Sequence, residues 1–295
     1  MSKIVVRILG GIGNQLFCYA AARRLAIVND AELVIDSVSG FAYDYVYRRK
    51  CQLHHFSIPC REATLSERLW PFSRLRRFLK KWANHFKPFD KRTYIKQRGT
   101  DFDPRILKLK TCGKTVYLDG YWQSESYFED VKDTIRDDLR VIPPIDATNK
   151  EMAARINNCM AIAVHFRFFD PPGVAGQHNI SASYYKRAID LIESRIYSPH
   201  YFLFSDHPEI AKAMITIPKA RITVISHNKG DENAYADLWL MTQCKHFIIA
   251  NSTFSWWGAW LGERADTMVI APNIVIRGIT SWGFKGLIPE RWLLI

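Results

Sequence analysis

The segment KIVVRILGGIGNQLFCYAAARRLAIVNDAELVID, residues 3–36, decides the fold class of this chain. It begins with a β-branched run, Lys3–Leu9, that ends at a glycine turn, Gly10–Gly13. Apolar residues then recur at helical spacing, and a second short apolar run follows at Ala31–Asp36. Strand, turn, helix and strand in this order indicate parallel strands joined by a crossover helix.

The same alternation restarts after residue 159 and continues towards the C-terminus. The pattern predicts five strands, at Met160–Phe166, Tyr201–Phe204, Ile222–Ser226, His246–Ala250 and Met268–Ala271. It also predicts four intervening helices, at Ser183–Ile196, Pro208–Ile215, Ala234–Thr242 and Phe254–Leu261. Such a series fits a doubly wound parallel sheet.

The stretch between these two halves is less regular. Residues 40–110 are basic, aromatic and without clear periodicity, and VIPPID at 141–146 has two prolines, as linkers often do. We therefore expect an α/β fold of two Rossmann-like lobes with parallel sheets, residues 1–145 and 146–295. A cleft between such lobes is the expected ligand site.

The composition is that of an ordinary globular protein. The chain has 295 residues, 48% of them hydrophobic and 24% charged, which excludes a disordered or fibrous protein. No apolar stretch reaches about 18 residues, and we expect neither a membrane span nor a signal peptide. Six cysteines without a CxxC pair argue against a zinc site and a disulfide framework. We expect reduced thiols and a cytoplasmic location.

The positive charge is concentrated in one segment. Residues 48–98 contain 15 Lys/Arg and 3 Asp/Glu, a difference of +12 that equals the net charge of the chain. Within it, PFSRLRRFLKKW (Pro71–Trp82) predicts a helix that begins at Pro71 and has one apolar face: Phe72, Leu75, Leu79 and Trp82. A basic amphipathic helix is typical of a membrane-surface contact. The alternative is that the apolar face packs on the core. No nucleic-acid-binding motif is present, so nucleic acid is not an expected partner.

Polar motifs follow the predicted strands, where parallel sheets place their ligand sites. The glycine loop GGIGNQ (10–15) precedes a helix whose free N–H groups can bind an anion. Leu16 occupies the third glycine position of the dinucleotide fingerprint, which is therefore incomplete. Asp36 ends the second strand, where dinucleotide folds place a ribose-binding acid. A simple tight turn is the alternative for the loop.

Three further strand ends contain candidate phosphate or base contacts. His165 and Arg167 share a face, and an arginine there offers a fork for phosphate oxygens; an Arg167–Asp170 structural pair is the alternative. Asp206 is suited to accept from the guanine edge or to cap a helix. In NSTFSWWG (251–258), a hydroxyl caps the next helix or binds phosphate, and both tryptophans are expected in the core.

Five motifs together resemble the bacterial α-1,2-fucosyltransferases, glycosyltransferase family 11. They are G-G-x-G-N-Q-L-F-x-Y-A at Gly10–Ala20, L-D-G-Y-W-Q-S at Leu118–Ser124, V-H-F-R at Val164–Arg167, F-S-D at Phe204–Asp206, and N-S-T-F-S-W-W-G-A-W-L at Asn251–Leu261. The resemblance implies the GT-B type of fold and GDP-β-L-fucose as donor. It implies transfer to the 2-hydroxyl of a β-galactoside with inversion, without a metal or other cofactor, in surface-glycan or O-antigen synthesis.

The resemblance also implies a set of site residues. The N-terminal lobe binds the acceptor and the C-terminal lobe the donor. Catalytic roles fall to Asn14, Arg167 and Asp170. Donor contacts fall to Gly11, Gly13, His165, Ser205, Asp206, Asn251, Ser252, Thr253 and Phe254, and acceptor contacts to Asp36, Tyr121, Trp122 and Gln123. Asp170 ranks ahead of Asp36 and Asp119 as the base because the family motif H-x-R-R-G-D has an acid there. This chain departs from the motif at Phe168-Phe169.

Several alternatives remain open at this stage. Asp101-Phe102-Asp103 is a D-x-D sequence that binds manganese in other transferases, but it lies in a polar loop rather than after a buried strand. Another GDP-sugar donor, a catalytically inactive glycan-binding relative and a nucleotide-dependent oxidoreductase are the competing functions. A lipid-linked glycan is one candidate acceptor, and residues 48–98 are then expected to contact the anionic inner face of the membrane.

Overall fold

The computed structural model describes residues 1–170, 178–278 and 281–295, and the chain divides into two compact units. The first comprises Met1–Arg140 with Lys285–Leu287, and the second comprises Val141–Phe284 with Ile288–Ile295. The division lies at 140/141, and a short C-terminal segment packs with the first unit.

The first unit is a parallel α/β structure. Its elements in chain order are β1 (Lys3–Arg7), α1 (Ile12–Val28), β2 (Glu32–Asp36), β3 (Arg61–Glu62), α2 (Ser73–His85), β4 (Tyr94–Lys96), β5 (Thr115–Asp119) and α3 (Lys132–Asp138). The sheet order among the described residues is β3-β2-β1-β5-β4, with every pair parallel. The predicted β–turn–α–β start is confirmed.

The glycine turn after β1 has a steric cause. Gly10 has φ +80°, a conformation that disfavours side chains. A Cβ there would also lie 2.8 Å from Nδ2 of Asn14 and 3.1 Å from the Tyr121 ring. The turn therefore needs glycine both for its backbone angle and for the close approach of two neighbouring side chains.

The second unit is a second parallel α/β structure. Its elements are α4 (Ala147–Asn157), β6 (Met160–Phe166), α5 (Ala182–Arg195), β7 (Pro199–Ser205), α6 (Pro208–Ala213), β8 (Ile222–Ile225), α7 (Ala234–Gln243), β9 (His246–Ile248), α8 (Thr253–Gly262), β10 (Val269–Ala271) and β11 (Leu293–Leu294). The sheet order in the described part is β11-β10-β9-β6-β7-β8. Because β6 pairs with β7 on one side and β9 on the other, the strand order reverses beside β6. The predicted two Rossmann-like parallel sheets are confirmed.

Differences from the predicted elements are concentrated in the first unit. The region 40–110 is not wholly irregular, because it contains β3, α2 and β4. The sequence pattern also predicts a helix near Tyr127–Leu139, but the structure has only the shorter α3 there, after 3₁₀ turns at Glu125–Tyr127 and Glu129–Val131. The basic helix does not begin at Pro71 as predicted. Phe72 adopts a left-handed conformation (φ 61°) that interrupts the helical path, so α2 begins at Ser73.

The core of the second unit contains the tryptophans of α8. Trp256, Trp257 and Trp260 are fully buried, and Trp256 contacts Trp292 with ring centroids 5.3 Å apart. The expectation that Trp256 and Trp257 belong to the core is confirmed. No helix in the described residues is long and apolar enough to cross a bilayer, and all six cysteines are free thiols.

Candidate active site

The end of β6 presents a buried histidine and a partly exposed arginine. His165 is 5% exposed, and its ring lies 5.3 Å from that of Phe254, centroid to centroid. Burial, with the charge of Arg167 as a second cause, lowers the pKa of His165 to about 3. Its Nδ1 has no hydrogen-bond partner among the described residues. His165 is therefore a neutral group with an unused ring nitrogen.

Arg167 pairs across the sheet edge. Its guanidinium lies 2.9 Å from Oδ2 of Asp206, which follows β7. The other carboxylate oxygen of Asp206 accepts from the Phe168 backbone N–H at 3.3 Å. The alternative of an Arg167–Asp170 pair is wrong, because the parallel pairing of β6 with β7 places Asp206 beside the arginine. Ser205 turns inward on its own loop, accepting from the His207 N–H at 3.0 Å.

Asp170 instead pairs with His178, a residue that no sequence motif indicated. Its carboxylate accepts from the His178 backbone N–H at 3.0 Å and lies 3.2 Å from the ring Nδ1 of His178. Asn179 Oδ1 accepts from the N–H groups of Phe169 and Asp170, which closes this loop. His178 lies in the unpatterned stretch before α5, so no periodicity or motif singled it out.

The α8 motif is linked to the same loop. Asn251 donates from Nδ2 to the His178 carbonyl at 2.8 Å. It is 3% exposed, and its Oδ1 has no hydrogen-bond partner in the described part of the chain. Ser252 is the helix cap, since its hydroxyl accepts from the Phe254 N–H at 3.3 Å, and α8 begins at Thr253. Seven of the nine predicted donor residues thus lie at the carboxyl edge of one sheet, whereas Gly11 and Gly13 lie in the first unit, at the start of α1.

In the first unit, the glycine loop Gly10–Gly13 contacts the L-D-G-Y-W-Q-S motif at Leu118–Ser124. Gly11 caps α1, Gly13 is buried in its first turn, and Asn14 Oδ1 accepts from Gln123 Nε2 at 2.7 Å. Tyr121 lies against Gly10. Tertiary contact therefore joins the glycine loop and the residue after it to two of the predicted acceptor residues, Tyr121 at Gly10 and Gln123 at Asn14.

Gln15 is a further residue whose role the sequence did not show. It is fully buried, and its Nε2 donates to the carbonyls of Gly10 and Lys50, both at 2.9 Å. Its Oε1 accepts from the Gln52 N–H at 2.8 Å. Gln15 ties the glycine loop to the segment at 50–52. The one feature of the sequence that could have indicated this role is the position of Gln15 inside the G-G-x-G-N-Q motif.

Asp36 and Asp119, the last residues of β2 and β5, belong to a charged network of the first unit that includes Arg7 and Arg77. Asp36 accepts from the Ser39 backbone N–H at 2.9 Å and from the Ser39 hydroxyl, and Arg77 lies 3.8 Å away. Asp119 accepts from Arg7 at 3.2 Å and from the Tyr94 hydroxyl at 2.7 Å. These contacts occupy both carboxylates and do not include Asn14.

The backbone of the acceptor motif is held by an unpredicted glutamine. Gln97 Oε1 accepts from the N–H groups of Tyr121 and Trp122 at 2.8 and 3.0 Å. Trp122 is 1% exposed, and burial raises the pKa of the Tyr121 hydroxyl. The three consecutive residues therefore have different neighbours: Tyr121 lies against Gly10, Trp122 is buried, and Gln123 contacts Asn14.

The D-x-D sequence is engaged in protein contacts. Arg105 donates to both oxygens of Asp103 at 2.8 and 2.7 Å, which lowers the pKa of that carboxyl. Asp101 accepts from the Lys285 N–H at 3.2 Å. No group of three or more His, Cys, Asp or Glu with metal-binding geometry occurs among the described residues.

Helix α2 packs through its polar face and exposes its apolar face. Arg77 donates to the Ser39 hydroxyl at 3.0 Å, the Lys80 ammonium lies 4.9 Å over the Tyr117 ring, and Asn84 accepts from the Thr93 N–H at 2.7 Å. Six large apolar side chains of α2 and of the two residues that flank it are 52–73% exposed: Phe72, Leu75, Phe78, Leu79, Trp82 and Phe86. The alternative that the apolar face packs on the core is wrong, because the polar side chains make the contacts.

Comparison with known proteins shows the family. The family model described as Glycosyl transferase family 11 matches residues 43–277 of this chain. An alpha-1,2-colitosyltransferase from Escherichia coli is 27% identical, over 100% of this chain and 99% of that protein. The O-antigen biosynthesis glycosyltransferase WbnK, also from Escherichia coli, is 28% identical over 90% and 92%. The solved structure of Arabidopsis thaliana FUT1 in complex with GDP has 12% identity and a TM-score of 0.55, over 95% of this chain and 71% of that chain, a likeness of fold.

Proposed function

Because this chain belongs to glycosyltransferase family 11, we propose that it transfers L-fucose from GDP-β-L-fucose to the 2-hydroxyl of a terminal β-galactoside. The product would be an α-1,2 linkage in an O-antigen or similar surface glycan. The observation that supports this most is the convergence of Arg167, Asp206, His165 and the α8 N-terminus at one sheet edge. We assign donor binding to the second unit and acceptor binding to the first.

Charge development explains the need for Arg167. When the bond from the sugar carbon to the diphosphate breaks, negative charge grows on the diphosphate. The guanidinium offers paired N–H donors to its oxygens, and N–H groups at the start of α8 add to the same field. Asp206 fixes the guanidinium from one side. Stabilisation of this kind contributes most when it is in place before the reaction.

The acceptor 2-hydroxyl must lose a proton as its oxygen bonds to the sugar carbon. We propose that the Asp170–His178 pair takes it. Asp170 lies on the Nδ1 side of His178 and so favours a proton on Nδ1, which leaves Nε2 to accept the proton from the hydroxyl. Asn14 is assigned to the glycosidic oxygen, and Gln123 orients its amide.

The donor sugar has a specific rival. One relative is named as a colitosyltransferase, and colitose transfer uses a related GDP-sugar. The replacement of Arg-Gly by Phe168-Phe169 also leaves room for an inactive glycan-binding relative. Both alternatives predict a different outcome in a donor assay.

The test is a matrix of donors and acceptors. GDP-fucose, GDP-colitose and GDP-mannose are each incubated with a panel of β-galactosides, with and without EDTA, and the product linkage is assigned by NMR. We expect GDP-fucose consumption, an α-1,2 product and no effect of EDTA. Consumption of GDP-colitose alone would favour the rival donor. Glycan binding without consumption of any donor would favour the inactive relative, and loss of turnover in EDTA would restore the metal hypothesis.

We also propose that α2 lies on an anionic membrane surface. Arg74, Arg76 and Lys81 are exposed beside its apolar face, and α2 contains no acidic residue. A second copy of the chain would bring like charges together, whereas anionic headgroups complement them. Each lysine or arginine near such a surface contributes about 1 kcal/mol.

Vesicle flotation tests the membrane proposal. We expect binding to phosphatidylglycerol vesicles, loss at high salt, and loss in Leu75→Ser/Leu79→Ser/Trp82→Ser. A matched control replaces three exposed apolar residues of the second unit, Ile145, Tyr197 and Val275, with serine. Equal binding by both triple variants, or no binding by the wild type at low salt, would show that α2 is not a membrane surface.

A further inference from the structure

An open pocket in the first unit, here called the basic pocket, lies beside the edge strand β4. Its walls include Arg92, Lys96, Arg98, Arg105, Phe89 and Trp122. None of the donor-site residues of the second unit contributes to it. We propose that the basic pocket binds a phosphate or diphosphate group, belonging either to the acceptor of the proposed transfer reaction or to a lipid headgroup.

The charge in the basic pocket is largely uncompensated. Asp103 is the acidic residue of its lining, and Arg105 binds both of its carboxylate oxygens. Within the described residues, Arg92, Lys96 and Arg98 have no carboxylate partner. Three cations around one concave surface favour a multiply charged anion, and arginine matches phosphate oxygens in geometry as well as charge.

Two of these cations are fixed before any ligand binds. Arg92 donates to the carbonyls of Lys87 at 3.0 Å and His85 at 3.2 Å. Arg98 lies 2.8 Å from the His85 ring Nδ1. Contacts to groups other than carboxylates hold both side chains in place without pairing their charge, and this reduces the entropy lost on binding. Freely solvated surface arginines would lack these contacts.

Trp122 gives an independent indication of a ligand. It lines the pocket and is 1% exposed, yet its indole N–H has no hydrogen-bond partner among the described residues. Buried N–H groups are normally paired, so an unpaired one at a basic pocket suggests an oxygen from outside the chain. Trp122 also precedes Gln123, which contacts Asn14.

The position of the basic pocket matches an amphiphilic ligand. His85, which contacts both Arg92 and Arg98, is the last residue of α2. The exposed apolar face of α2 and the basic pocket are therefore neighbours. A molecule with an apolar chain and a diphosphate group would satisfy both surfaces. Assigning that molecule as the acceptor rests on the proposed function, whereas binding of the diphosphate does not.

Calorimetry on the full chain tests the basic pocket. The protein is first titrated with GDP. With one molar equivalent of GDP present, enough to fill the donor site but not the basic pocket as well, it is then titrated with inorganic diphosphate, a short prenyl diphosphate and the matching prenol. We expect both diphosphates to bind and the prenol to fail. Tighter binding of the prenyl diphosphate would identify a lipid-linked source, and equal binding a free phosphate group.

The controls are charge-matched. Lys96→Ser/Arg98→Ser is expected to weaken diphosphate binding by about tenfold or more. Lys108→Ser/Lys110→Ser removes two exposed cations of the same unit that lie outside the pocket, and we expect no more than a small change. Absence of diphosphate binding by the wild type with one equivalent of GDP, equal loss in both variants, or prenol binding as tight as that of the diphosphate would overturn the proposal. Absence of GDP binding in the first titration would instead count against the transferase.

Discussion

The Arg167 guanidinium and the Asp206 carboxylate lie 2.9 Å apart and join the ends of two adjacent parallel strands. Phe166 and Ser205 are paired in the β6–β7 register, so the residues that follow them lie side by side. The ion pair therefore positions the one arginine that this chain shares with the family motif. Its partner is an acid 39 positions along the chain that the same motif does not contain.

Arg167→Lys is expected to lower kcat/KM by on the order of a hundredfold. A single ammonium cannot replace the paired donors that Arg167 offers to a diphosphate. Steady-state kinetics with GDP-fucose measures the loss. Arg187→Lys, an exposed position on α5, is the matched control and should retain activity. Near-normal turnover of the Arg167 variant would remove the arginine from the mechanism.

Asp206→Asn is expected to lower kcat while leaving the preference for GDP over ADP unchanged. Both carboxylate oxygens already accept from Arg167 and the Phe168 N–H, so the acid acts by orienting the arginine. Calorimetry with the two nucleotides measures the preference. If the variant binds GDP and ADP equally while the wild type does not, Asp206 contacts the guanine edge instead.

The Asp170–His178 pair makes a prediction about catalysis. His178→Gln and Asp170→Asn should both lower kcat, because the first removes the proton acceptor and the second removes the group that orients it. Because the two groups act as one unit, the double variant should lose little more activity than His178→Gln alone. Steady-state kinetics of the three variants measures this. Near-normal kcat of His178→Gln would identify another base.

His165 is expected to make folding sensitive to acid. Its pKa is about 3 in the folded protein, against an ordinary value of 6.5, so between these values the unfolded chain binds a proton that the folded chain does not. Stability should fall as the pH is lowered from 6.5 towards 3, by about 1.4 kcal/mol per pH unit for this group.

Urea unfolding of the wild type, His165→Gln and His165→Asn between pH 7 and pH 4 measures this contribution. In both variants the free energy of unfolding should no longer show the fall of about 1.4 kcal/mol per pH unit that comes from His165, whatever their stability at pH 7. Slopes identical to that of the wild type would mean that His165 is protonated in the folded state.

Gln15→Leu is expected to destabilise the first unit by about 2 kcal/mol or more. The substitution leaves the carbonyls of Gly10 and Lys50 and the N–H of Gln52 without their present partner, and each unpaired buried group costs about 1–3 kcal/mol. Urea unfolding measures the change. Gln243→Leu, at the partly exposed end of α7, should cost less. Equal losses would mean that Gln15 is not a specific tie.

The sequence by itself determined the two parallel α/β units and the positions of most of their strands along the chain. Met160–Phe166 is the same in the prediction and in the structure, because a run of buried apolar residues specifies a strand without any knowledge of its neighbours. Motif order identified the family, and the strand ends identified where the site residues would lie. These features depend on residues close together in the chain.

Only the tertiary structure decided which side chains meet. Asp206 rather than Asp170 pairs with Arg167, Asp170 pairs with the unpredicted His178, and Asn14 bonds to Gln123 across 109 positions. The tertiary structure also decided which face of α2 packs on the first unit. The sequence identifies the apolar face of the helix, but it does not show which of the two faces contacts the rest of the unit. Periodicity specifies how residues divide between the faces of a helix, whereas the partner of each face is set by strand register and by segments distant in sequence.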